Sequence, residues 1–206
     1  MKQLRIEDID LEGIRAVVFD LDGTLYDKRF LPLRLVAGDL HHALWIASER
    51  HARRLLKGQD FGDADTFYKT LFTHISSHQN VPYLKVKEWY FGQYLPLTID
   101  ILYQHYEAGA FVIPLLRELD KRNIKTAVFS DYRCVEDKIR AIGLESKMFD
   151  YCLAAPELGG LKPNKTLFMR LLKLMRVKPE QTLMIGDRED TDGQGAKNAG
   201  MKFLKV

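Results

Sequence analysis

Only two cysteines stand among the 206 residues, Cys134 and Cys152, and neither belongs to a spacing that holds a metal or frames disulfides. Both read as core residues of a chain kept in a reducing compartment. No apolar run reaches the length of a membrane span, and the first residues, Met1 to Asp8, lack the apolar stretch of a signal peptide. The expectation is a cytoplasmic protein with no membrane partner. An excess of one charge sign is missing too. The 31 basic and 28 acidic residues leave +3, too little to gather nucleic acid or an anionic surface. Repeats and low-complexity tracts are absent. What is present is 46% apolar residues, enough for the core of one domain or of a domain with a large insertion.

The most telling stretch is Ala16-Val17-Val18-Phe19-Asp20-Leu21-Asp22-Gly23-Thr24. Its β-branched and aromatic run reads as a buried parallel strand. Asp20 and Asp22 then fall at the carboxyl end, where open α/β sheets place their ligand crevice. After Gly23 the period becomes helical, with Leu33, Val36, Leu40, Leu44 and Ala47 on one face of a helix ending near Gly58. A second helix is expected from Asp65 to Ser77, and a third from Leu84 to Tyr106, bent near Pro96. No strand is expected between Asp27 and Gly109.

From Ala110 onward strands and helices alternate. Helices are expected over Val112 to Lys121, Val135 to Ile142, from Pro163 through Met175, and Gly193 to Ala199. Strands are expected over Thr126 to Phe129, Tyr151 to Ala154, Thr182 to Ile185, and Phe203 to Val206. Such alternation means right-handed βαβ units and a doubly wound parallel sheet. The first strand must rejoin that sheet. Residues 1–26 and 110–206 therefore form an α/β core, and 27–109 form a helical insertion.

Four places lie at the ends of these strands: Asp20 to Thr24, Ser130 with Asp131, Lys162 before a helix start, and Asp187 to Asp192. They should share one rim. Asp20, Asp22, Asp187 and Asp192 would bring a charge of −4 into one crevice. At an effective dielectric of about 20, two like charges about 4 Å apart repel by roughly 4 kcal/mol. Lys162 and a hard divalent ion such as Mg²⁺ would offset most of that charge, and proton uptake by Asp22 the rest. With a phosphate monoester present, Mg²⁺, Ser130 and Lys162 would surround its oxygens. A carboxylate facing phosphorus can form an aspartyl-phosphate, and its neighbour can protonate the leaving alcohol and then activate water.

These residues resemble the haloacid dehalogenase (HAD) superfamily, in its phosphatase-like branch with a helical C1-type cap after the first strand. The resemblance implies a Rossmann-like core with the first strand central. It implies Asp20 as nucleophile and metal ligand, and Asp22 as general acid/base lending its backbone carbonyl to Mg²⁺. Ser130 and Lys162 resemble the phosphate and charge-balancing residues, Asp187 the acidic metal ligand, and Asp192 a support for the metal or for Lys162. Two departures stand out. Asp131, grouped with the phosphate-binding residues through its backbone N–H, replaces a frequent asparagine, and the entry to the helix at Val112 lacks a Pro-Gly turn. Dehalogenase members usually lack the second aspartate, so Asp22 points to phosphate.

Other patterns give way. Aligned as a calcium loop, Asp190-Thr191-Asp192-Gly193 puts Arg188 at the first ligand and Ala199 where a bidentate glutamate is required. Gly193-Gln194-Gly195 lacks the third glycine of a dinucleotide loop. Arg50-His51-Ala52-Arg53-Arg54 reads as a helix end, because residues 27–109 hold ten basic and nine acidic residues. His41, His42, His74 and His78 lack acidic or cysteine partners for a metal. Trp45, Phe72, Trp89, Tyr90, Phe91 and Tyr94 read as the insertion's own core, with one or two available to face the crevice. The expected protein is a Mg²⁺-dependent phosphatase of a small phosphorylated metabolite, monomeric or homodimeric. The alternatives are a phosphomutase of the β-phosphoglucomutase type and a non-catalytic binding protein on the same fold.

Overall fold

In the computed structural model, residue 7 and residues 9–206 are described, so the reading of the first residues lies mostly outside them. Five short strands make one parallel sheet: β1 (Ala16–Phe19), β2 (Lys125–Ser130), β3 (Tyr151–Ala154), β4 (Thr182–Gly186) and β5 (Lys202–Lys205). Their order is β3-β2-β1-β4-β5, with β1 at the centre. Phe19 pairs with Val128 on one side and Ile185 on the other, which sets Asp20 level with Phe129 and Gly186. Three strand ends therefore open onto one rim.

The pleat sends alternate side chains of β1 to opposite cores. Ala16 and Val18 pack with α8 (Lys165–Met175) and α9 (Gln194–Ala199) through Leu167, Phe168, Leu171 and Ala196. Val17 and Phe19 pack with α6 (Val112–Lys121) and α7 (Val135–Ala141) through Leu115, Leu119 and Ile139. Burying each such Leu or Phe contributes about 1.5–3 kcal/mol, so both sheet faces are strongly specified. The second core continues without a break into the helices between β1 and α6. These are α1 (Leu31–Gly38), α2 (Ala43–Leu56), α3 (Ala64–Gln79), α4 (Tyr83–Trp89) and α5 (Leu95–His105).

Several sequence expectations change here. The single helix expected up to Gly58 is two. Gly38 ends α1, and the Asp39 side chain accepts from the His42 N–H, which diverts the backbone into a 3₁₀ turn at Leu40–His42. The bend near Pro96 is a wide π turn at Tyr90–Tyr94, and Pro96 sits in the first turn of α5, where the missing N–H leaves least unsatisfied. Helix α8 starts at Lys165 rather than Pro163, because the Asn164 side chain accepts from the Thr166 N–H. A π turn at Glu189–Gly193 precedes α9, and β5 begins one residue early. Cys134 and Cys152 are half-buried, not core. Between residues 27 and 109 no strand occurs among the described residues; isolated bridges join Tyr26 to Ala108 and Asp60 to Gly160.

Candidate active site

Asp20 ends β1, and its N–H donates to the Ile185 carbonyl at 2.9 Å, which ties the turn to the sheet. The Thr24 hydroxyl donates to its Oδ2 at 3.0 Å and the Lys162 ammonium to its Oδ1 at 2.6 Å. Lys162 is buried, and its Nζ also donates to Asp192 Oδ1 at 2.6 Å and to the Phe129 carbonyl at 3.1 Å, so all three protons are engaged. Burial alone would lower its proton affinity, but Asp192 and Asp20 outweigh that and hold it firmly charged.

Burial pushes the Asp20, Asp187 and Asp192 carboxyls above the usual range, against the pull of Lys162 on Asp20 and Asp192 and of Lys28 on Asp187. Ligand atoms of these three acids all lie within 4.8 Å of one another. Lys28 donates to the Asp22 carbonyl at 2.7 Å and to Asp187 Oδ2 at 2.6 Å, between the backbone and acid that the resemblance gives to a metal. An ammonium thus stands where a cation is called for. Gly23 permits this cradle: its φ is +104°, and a Cβ there would lie 2.5 Å from Asp187 Oδ2 and 2.7 Å from the Lys28 ammonium. All-oxygen donors and a stand-in cation fit a hard divalent ion.

Asp22 differs. Its carboxylate accepts from Lys138 Nζ at 2.7 and 2.8 Å, from the Tyr26 hydroxyl, and from Ser130 Oγ at 3.2 Å. Burial would raise its pKa, but Lys138 outweighs it, with help from Tyr26 and Lys28, and holds the carboxyl below the ordinary range. The proton uptake expected of Asp22 is therefore replaced by a buried ammonium. Sequence reasoning missed Lys138, although it shares the apolar stripe of Val135, Ile139 and Ile142 at helical spacing. Tyr26 and Lys28 were missed as well. Tyr26 follows Asp22 by four residues, but nothing local marks Lys28.

Asp131 Oδ1 accepts from the Lys162 N–H at 2.9 Å, so this acid joins two loops; burial raises its pKa against the pull of Lys162. Its carbonyl accepts from Arg53 at 2.7 Å. Arg53 lies in the last turn of α2, as the helix-end reading expects, but its side chain turns inward. It is buried, paired with Glu49, hydrogen-bonded to the Tyr90 hydroxyl, and its guanidinium lies 4.2 Å from the Tyr132 ring centroid. Asp192 Oδ2 accepts from the Arg188 N–H at 3.3 Å. All seven candidate residues thus meet on the rim, held by three lysines of which the sequence reading named one. Five carboxylates against three ammonium groups leave a net charge of −2, which one divalent cation would cancel.

A cavity of about 320 Å³ opens beside Asp22, lined by the polar Lys28, Tyr132 and Lys138 and by the apolar Leu31, Leu35 and Leu95. Tyr94 also lines it, whereas Trp89 and Tyr90 are buried among neighbouring rings. A roomier hollow of about 730 Å³, between α5 and α7, contains none of the seven candidates.

A five-stranded parallel sheet with acids gathered on its carboxyl rim defines the doubly wound α/β class of protein, whose ligand crevice lies at the strand ends. The family model of haloacid dehalogenase-like hydrolases matches residues 14–200, and the chain belongs to that family. A glyceraldehyde 3-phosphate phosphatase of Pyrococcus furiosus is 28% identical over 213 residues, covering 94% of this chain and 81% of that one. The pyrophosphatase PpaX of Bacillus mycoides is 27% identical, over 94% of this chain and 83% of its own. Among solved structures, CbbY from Rhodobacter sphaeroides in complex with phosphate superposes with a TM-score of 0.69 at 21% identity, over 94% of this chain and 86% of that chain. Among the described residues no helix is long and apolar enough to cross a membrane.

Proposed function

We propose that the chain is a Mg²⁺-dependent phosphatase of small phosphorylated metabolites, working through an aspartyl-phosphate on Asp20. The observation that carries this reading is the Asp20 carboxylate between Lys162, Asp187 and Asp192, with a second carboxylate two residues on. The phosphatase names of relatives that share most of their length with this chain support it.

Among the described residues Asp20 accepts two side-chain hydrogen bonds, so two of its about four lone-pair sites remain for phosphorus and a cation. Asp20, Asp187 and the Asp22 carbonyl would hold Mg²⁺, with Asp192 in support through Lys162. When bound, the ion supplies positive charge to the phosphoryl oxygens and lets a dianion approach an acidic crevice. Ser130, the Asp131 backbone N–H and Lys162 flank the same oxygens. Attack by Asp20 on phosphorus forms one P–O bond as the bond to the leaving alcohol breaks. In the second half, Asp22, held ionised by Lys138, takes a proton from water as the water oxygen bonds to phosphorus, the Asp20–phosphorus bond breaks and inorganic phosphate leaves. In the first half the same carboxyl passes a proton to the leaving oxygen. Acid–base help of this kind is worth about 10²–10⁴ in rate.

The reading makes residues 27–109 a cap over the core of 1–26 and 110–206. A cavity of about 320 Å³ has room for about ten waters, which fits a small leaving group rather than a polypeptide. The test is hydrolysis of p-nitrophenyl phosphate with Mg²⁺ by wild type and Asp20→Asn. Wild type should turn over and the variant should lose about a thousandfold or more. Equal rates would defeat the nucleophile assignment.

A further inference from the structure

Arg50, on α2, lines two cavities at once: the one beside Asp22, and another of about 270 Å³ that reaches Lys162. It therefore borders both the cavity of the proposed acid/base and that of the proposed phosphate lysine. Every cation on these walls except Arg50 and Arg54 already holds a carboxylate, among the described residues. Arg54 lines only the second cavity. Arg50, an exposed side chain, is thus the one cation lining the Asp22 chamber that holds no carboxylate among the described residues.

Its position is locally unfavourable. Arg50, Arg53, Arg54 and Lys57 recur at steps of three and four, which stacks like charges on one helix face. The helix dipole favours cations only in the last turn, which contains Arg53 and Arg54. Arg50 lies before that turn, so helix-end electrostatics do not account for it. A local conflict of this kind is expected at a functional position. Leu31, Leu35 and Leu95 give the same cavity an apolar lining beside Tyr94 and Thr98, which suits a short carbon chain between a phosphate and a group held by Arg50. One unpaired guanidinium fork matches one planar carboxylate in a bidentate pair.

Resting on the phosphatase reading, we infer that the substrate is a short phosphomonoester whose far end carries a carboxylate, and that Arg50 receives it. Two esters that differ only at that end make the test: 3-phosphoglycerate, with a carboxylate, and glycerol 3-phosphate, with a hydroxymethyl group. In wild type kcat/KM should favour 3-phosphoglycerate by about ten- to a hundredfold. Arg50→Gln should collapse that ratio toward one, mainly through the KM for 3-phosphoglycerate. Arg50→Lys, which keeps the charge without the fork, should retain part of it. No preference in wild type, or a ratio that survives Arg50→Gln, would overturn the inference. Calorimetric titration of Asp20→Asn protein with both esters and Mg²⁺ reads the same preference without turnover. Binding of 3-phosphoglycerate through Arg50 without hydrolysis by wild type would sink the phosphatase reading alone. Equal hydrolysis of both esters would sink this inference alone, and binding of neither would sink it as well.

Discussion

Asp20 and Asp22 sit two residues apart at the end of one strand, yet their surroundings push them in opposite directions. Burial dominates at Asp20, where Asp192 and Asp22 add repulsion and one shared lysine offers relief, so its carboxyl rises. At Asp22 an ammonium bonded to both oxygens outweighs burial, and the carboxyl falls. Two identical side chains acquire different chemistry because each half of the rim has its own balance of charge. The Asp20 half is short of positive charge and suited to a cation. The Asp22 half is already neutralised.

The comparison breaks most sharply at Lys138. Lys138→Met strands a largely buried carboxylate and should cost on the order of 3 kcal/mol by denaturant unfolding at neutral pH. The sign with pH follows. A depressed acid stabilises the fold above its unfolded pKa of about 3.9 and loses that contribution as pH falls through its lower folded value. The gap between wild type and Lys138→Met should therefore be widest near neutrality and close as pH falls below about 4. Adding Asp22→Asn should recover most of the loss, and a double variant no more stable than Lys138→Met would refute the pairing.

On the other half, Lys28→Met removes the ammonium that occupies the cation position. Mg²⁺ should then bind about tenfold more tightly by calorimetry, since one freed partner is worth about 1.4 kcal/mol. Weaker binding would mean that Lys28 assists the ion rather than competing with it. The smallest effect expected is that of pH on the metal. The raised carboxyls of Asp20 and Asp187 take up protons at higher pH than ordinary acids, so Mg²⁺ affinity should fall as pH is lowered from neutrality, before ordinary carboxylates begin to protonate. Constant affinity over that interval would contradict the burial of these groups.

Much of the rim was legible because strand ends have a local signature. Apolar runs before Asp20, Ser130 and Asp187 forecast where those side chains would stand, and the parallel alternation forecast that they would share an edge. Helix ends inside 27–109 were less legible, since the Asp39 side-chain turn and the π turn before Pro96 depend on single hydrogen bonds that hydrophobic periodicity does not register. The burial of Arg53 was illegible for a related reason. Its neighbours in sequence are cations, while the groups that bury it come from α3, the π turn and the loop after β2.

The sequence by itself determined the strands, the acids at their ends and the helical segment between β1 and α6, because hydrophobic period and turn chemistry act over a few residues. Only the tertiary structure decided how the acids are neutralised. Lys28 meets Asp187 across 159 positions, and Lys138 meets Asp22 across 116. A lysine side chain is long and flexible, and no local pattern says which distant carboxylate it will reach. That choice follows from the sheet order, which sets β1 between β2 and β4 and so brings both halves of the rim within an ammonium's reach.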